Sequence, residues 1–134
     1  DELLETMIAD GEGLANNFIP FHTIISIFSD AITYHAYGTL CYQFFGNILL
    51  FIPLGFSLYC YFKEDKKFVR MLCSVIAITV FVEIWQWVFN AMLQVNYRCV
   101  DVDDIILNTI GGILGFCIAS FGISMLKSFF GKNK

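Results

Sequence analysis

A chain of 134 residues bounds this protein to a single domain. It is 57% hydrophobic with 15 Phe, only 15% charged, and has a mean hydropathy of +0.69, so no soluble interior of this size could hold its hydrocarbon and the solvent must be lipid. The net charge of −4 is segregated: Asp1, Glu2, Glu5, Asp10, Glu12 and Asp30 make the first 38 residues acidic, while Lys63, Lys66, Lys67 and Arg70 cluster between two apolar runs, and Lys127, Lys132 and Lys134 follow the last one. No basic surface is interleaved with aromatics, which argues against nucleic acid as a partner.

In chain order, residues 1–20 form an acidic segment in which Leu3, Leu4, Met7 and Ile8 fall at helical spacing. No basic stretch precedes an apolar one, so no signal peptide is visible. Pro20 disfavours a helical Ile19 and marks a break. Apolar residues then recur at 21, 24, 25, 28 and 32, one helical face, among Ser26, Ser29 and Asp30. This stretch is too short and polar to span, so residues 21–37 are expected as an interfacial helix, with Tyr34 and Tyr37 at headgroup level. Three transmembrane helices are predicted at 39–62, 71–93 and 105–126; the first, 24 residues without a charge, would be about 36 Å long. The expectation is an all-α, multi-pass transmembrane bundle, with the interfacial helix on the outer face.

The basic residues orient it. Lys63, Lys66, Lys67 and Arg70 put the 63–67 loop in the cytoplasm, and the lysines after Leu126 put the C-terminus there too. Residues 1–38 and 94–104 are then external. The five cysteines show neither a CxxC motif nor zinc spacing to His22 or His35, and read as small hydrophobes; only Cys41 and Cys99 fall near the same face and could pair.

The polar residues that remain gather around one membrane boundary. Thr79, Glu83, Gln86 and Asn90 step by four, three and four along the second span. A carboxylate near mid-membrane costs about 2.5–3.5 kcal/mol on insertion scales, so Glu83 should face the bundle, paired with a cation or protonated, either as helix-joining glue or as part of a site. Asp104, Asn108, Gly112, Gly115, Ala119 and Gly122 trace one face of the third span, polar at one end and small at the other, and Gly111-x-x-x-Gly115 matches a close-packing motif. Asp103 or Asp104 can cap that helix. Arg98 suits a buried carboxylate or a phosphate, since its planar fork binds either. Asp101, Asp103, Asp104 and Glu83 could instead gather a divalent cation, although no metal-loop pattern is present. Asn47 and Gln43, one turn apart in the first span, could complete the site. No order of Ser, His and Asp, or of Cys and His, suggests nucleophilic catalysis.

These residues resemble a known family. The run Asn17, Phe18, Ile19, Pro20, Phe21, then Gly46-Asn47-Ile48-Leu49-Leu50-Phe51-Ile52-Pro53-Leu54-Gly55-Phe56, are similar to the first two signatures of the VanZ-like membrane proteins. Glu83 with Gln86, and Arg98, Asp101, Asp103, Asp104, Ile105, Ile106, Asn108, Thr109, Gly111 and Gly112 at their spacings, resemble the rest. The likeness covers residues 16–122 and rests on four motifs in order. The family takes its name from an accessory protein of glycopeptide-resistance clusters and is associated with low-level resistance to teicoplanin-type lipoglycopeptides, while many members sit outside such clusters. Members usually carry a spanning helix before the Asn-x-Ile-Pro-Phe motif; restoring one here would give four spans and a cytoplasmic N-terminus.

The resemblance and the polar pattern together imply a binding or protective module at the cell surface. The implied binding residues are Asn47, Glu83, Gln86, Arg98, Asp101, Asp103, Asp104 and Asn108, with no metal and no cofactor. The implied ligands are membrane lipids, a lipoglycopeptide or a cell-wall lipid precursor. The rival is an enzyme on a lipid-linked substrate, with Glu83 or Asp104 as general base and Arg98 steadying phosphate. A third reading is a structural partner of another membrane protein.

Overall fold

A computed structural model describes residues 16–62, 66–93 and 100–131. The apolar positions 3–8, Lys63, Arg98 and Cys99 lie outside the described residues, as does the side chain of Asn90. Four helices make up the described chain. They are α1 (His22–Tyr34), α2 (Tyr37–Tyr61), α3 (Lys67–Leu93) and α4 (Val102–Gly131). Among the described residues the one extended pairing is an isolated parallel bridge between Asn17 and Asp101. Three helices are long and apolar enough to cross a bilayer: Tyr37–Tyr61, Lys67–Phe89 and Val102–Phe130. The architecture is an all-α membrane bundle.

The helices overrun the apolar stretches marked by hydropathy. Hydropathy locates the hydrocarbon boundary, whereas a helix ends where its backbone groups find other partners. Thus α3 takes in Lys67 and Arg70, and α4 takes in Asp103 and Asp104. The start of α2 also departs from a regular α-helix: Leu40–Phe45 is π-helical, and α geometry resumes at Gly46 and continues through Pro53 to Tyr61. Gln43 is exposed, and Asn47 turns inward.

The closest approach in the bundle is between α2 and α4. A Cβ added to Gly111 would lie 2.2 Å from the carbonyl oxygen of Ile48, and one added to Gly115 would lie 2.0 Å from that of Ile52. Gly55 answers from the other side, its hypothetical Cβ 1.9 Å from the Gly112 oxygen. Lipid tails are as apolar as leucine, so helix association here relies on van der Waals contact, and small residues maximise it. The expected Gly112–Gly115 face therefore divides: the side-chain positions of Gly111 and Gly115 face α2, whereas that of Gly112 faces Val75 of α3 while its carbonyl meets Gly55 of α2. Ala119 is fully buried further along, whereas a Cβ added to Gly122 would meet open space.

Below the polar residues, Phe51, Met71, Val75 and Phe116 form a buried apolar cluster. At that end of the bundle, Lys67 Nζ sits 3.7 Å above the Tyr59 ring and Tyr59 meets Phe116 edge-on. Helix α1 packs on the opposite end through Ile27 and Ala31, both buried, while Ile25, Phe28 and Ile32 on its other face are exposed. Among the described residues, Cys41, Cys60, Cys73 and Cys117 are free thiols.

Candidate functional site

The site begins where α4 begins. Asp101 accepts the Asp103 N–H on its side-chain Oδ1 at 2.9 Å and the Asp104 N–H on its backbone oxygen at 3.2 Å, which makes it the cap of this helix. The expectation that Asp103 or Asp104 caps α4 is corrected accordingly. Asp101 is 5% exposed, and its Oδ1 also accepts from Asn17 Nδ2 at 2.8 Å. Asn17 in turn reaches Thr23 Oγ1 at 2.9 Å, and its own oxygen accepts the Ile19 N–H at 3.0 Å, turning the chain into Pro20. Backbone bonds from Asn17 N to Val100 O and from Val102 N to Asn17 O complete the bridge.

Asp103, only 1% exposed, serves a different helix. Its two oxygens accept the N–H groups of Phe21 and Ile24, closing the N-terminus of α1. Phe21 takes a left-handed φ of 67°, an uncommon conformation for a bulky residue, and this bond helps hold it there. The Asn-x-Ile-Pro-Phe run is thus the latch that docks α1 on the start of α4.

Asp104 points the other way, into the bundle, and accepts from Asn47 Nδ2 of α2. One turn on, Asn108 (4% exposed) donates through Nδ2 to Thr79 Oγ1 of α3 at 2.7 Å, and Thr79 is fully buried. Glu83, 5% exposed, accepts the Asp101 N–H on Oε2 at 3.2 Å. The segment entering α4 therefore folds down onto Glu83. Asn47 and Asn108 direct their Nδ2 groups to Asp104 and Thr79.

Asn47, Glu83, Gln86, Asp104 and Asn108 border one cavity of about 250 Å³, together with Leu50, Phe51, Leu54 and Val82. Asp101 and Asp103 lie outside that lining, engaged in the caps. The four carboxylates that could have gathered a divalent cation are thereby parted, and among the described residues no three His, Cys, Asp or Glu side chains converge on a metal position. The apolar wall of α2 was open to sequence reasoning: Leu50, Phe51 and Leu54 follow Asn47 at three, four and seven residues, one helical face. Two buried oxygens in this group, Gln86 Oε1 and Asn108 Oδ1, have no hydrogen-bond partner among the described residues.

A family profile described as VanZ/LLP1 matches residues 4–125, a span that contains all four motifs behind the resemblance read from sequence. No curated protein matches the chain, and no solved structure matches it.

Proposed function

We propose that this chain, which belongs to the VanZ/LLP1 family of membrane proteins, is a binding module for a polar-headed amphiphile. The observation that carries this reading is the composition of the cavity wall. Asn47, Glu83, Gln86, Asp104 and Asn108 supply a polar head site, and Leu50, Phe51, Leu54 and Val82 supply an apolar path beside it. Leu50 is 70% exposed to the surroundings of the bundle, so a tail leaving the cavity along α2 would enter lipid. At the outer leaflet this is the place to meet a lipoglycopeptide or a lipid-linked cell-wall precursor, and a contribution to teicoplanin-type resistance follows from such capture. The rival enzymatic reading draws on Glu83, a buried carboxylate lining the cavity with Asp104 nearby in the same wall.

Binding of teicoplanin to the purified full chain in lipid nanodiscs separates the two, with wild type and Glu83→Gln compared. Glutamine keeps an acceptor for the Asp101 N–H while removing the charge. A binding module loses affinity about tenfold or more with the charge. Unchanged affinity in Glu83→Gln, with loss of turnover on a lipid-linked precursor, would instead support the enzyme. No teicoplanin binding above that of empty nanodiscs would remove the lipoglycopeptide from the proposal.

A further inference from the structure

At the end of the bundle away from the cavity, side chains from all three spans meet at one phenol. Lys67 opens α3 and is half-buried, its Nζ 3.7 Å above the Tyr59 ring of α2. A lysine at the end of a span ordinarily snorkels to water, whereas the negative face of this ring holds the ammonium against the bundle. The Tyr59 hydroxyl stands beside Lys67 and beside Ser120 of α4, and Lys127, seven residues further along α4, lies within electrostatic reach of it. Two ammoniums from different helices are thus brought toward one hydroxyl, where they repel each other. Apolar surface adjoins them: Phe62 packs on the buried cluster, and Phe68 meets Phe116 edge-on while remaining 42% exposed. No Asp or Glu occurs at 39–62, 66–82 or 105–131, so the helices bring no carboxylate to this end; Glu64 and Asp65 lie outside the described residues.

We infer that Tyr59, Lys67, Ser120 and Lys127 form a binding site for the phosphate of an anionic phospholipid in the leaflet that this end meets. One phosphodiester between Lys67 and Lys127 offsets their mutual repulsion and offers acceptor oxygens to both ammoniums and to the Ser120 hydroxyl. Its acyl chains lie against the exposed side of Phe68. A cation–ring contact alone accounts for Lys67 but not for a second ammonium near the same hydroxyl. A zwitterionic lipid carries the same phosphate with a tethered cation, which meets two like charges, so the site selects net negative headgroups. Free phosphate offers the same oxygens but has no chains for the apolar flank. The site lies at the opposite end of the bundle from the polar cavity, and the inference does not depend on what that cavity binds.

Native mass spectrometry tests the site on the full chain released from nanodiscs that hold equal amounts of phosphatidylglycerol and phosphatidylcholine with the same chains. Phosphatidylglycerol should be retained at least about tenfold over phosphatidylcholine, and Lys67→Gln and Lys127→Gln should each cut that preference about fivefold. Lys127 is exposed, so its variant probes the site without disturbing the packing around Tyr59. Lys66→Gln removes an exposed charge of the same sign one residue from Lys67 and should leave the preference largely unchanged. Equal losses in the Lys66, Lys67 and Lys127 variants would reveal diffuse attraction to an anionic surface and overturn the site. Equal retention of the two lipids by the wild type, or a preference that survives both Lys67→Gln and Lys127→Gln, would overturn it too. Displacement of the retained phosphatidylglycerol by excess inorganic phosphate would assign the site to a free anion and overturn the lipid.

Discussion

Three aspartates within four residues do three different things. Asp101 caps α4, Asp103 closes α1, and Asp104 meets Asn47 at the cavity. Their neighbours in the chain do not decide this; partners 82 and 57 residues away do. For that reason the sequence showed that the carboxylates cluster beside a membrane boundary but not how they divide. Asp103→Ala removes two charge-assisted bonds and leaves the Phe21 and Ile24 N–H groups facing a buried gap. A loss of roughly 2–4 kcal/mol of stability is expected, with Asp103→Asn milder because one acceptor survives. Unfolding in detergent gives the magnitude, and amide exchange localises it: the α1 amides should exchange faster while those in the middle of α4 stay protected. Uniform protection in both helices would show that Asp103 is not what holds α1.

Among the elements, the spans were the most legible part of the chain, because a long uncharged apolar run admits one reading in lipid. Less legible was the π-helical Leu40–Phe45, which no periodicity of apolar residues announces and in which Gln43 is exposed. The glycines were legible in kind, since a small-residue stripe marks close helix approach, but not in partition between neighbours. That partition makes a graded prediction. Gly115→Ala places a methyl where backbone atoms of Ile52 and Phe56 already stand, so α2 and α4 must separate, at a cost of about 2–3 kcal/mol. In Gly112→Ala the new Cβ meets the Val75 side chain at 2.8 Å, whose atoms have more freedom to shift than backbone, and the loss should be smaller. Gly122→Ala meets nothing and should be neutral or slightly stabilising through its better helix propensity. Thermal midpoints of the three variants in one detergent test the order, and a Gly122 variant as damaged as the Gly115 one would show the bundle to be packed differently.

At the scale of the whole molecule, the cavity and the basic residues occupy opposite ends. The start of α4, the Asn17–Asp101 bridge and α1 lie around the polar cavity, whereas Lys67 and Arg70 lie in the first turns of α3. From Lys67 to Glu83 is 16 residues of one helix, about 24 Å, most of the thickness of a bilayer's hydrocarbon core. The membrane side of one end therefore fixes the other. Lysine and arginine near the ends of spans favour the cytoplasm. If the basic end lies inside, the cavity opens toward the outer leaflet, as the proposed capture of a lipoglycopeptide or cell-wall precursor requires. Single cysteines at Glu64 and Asn96, in a full chain with its five native cysteines replaced, report the two ends separately. On intact cells a membrane-impermeant thiol reagent should label position 96, and position 64 should react only after the membrane is opened. The reverse pattern would leave the fold and the cavity as described but turn the head site to the cytoplasm, where an extracellular antibiotic does not reach it, and the resistance role would fall with the orientation.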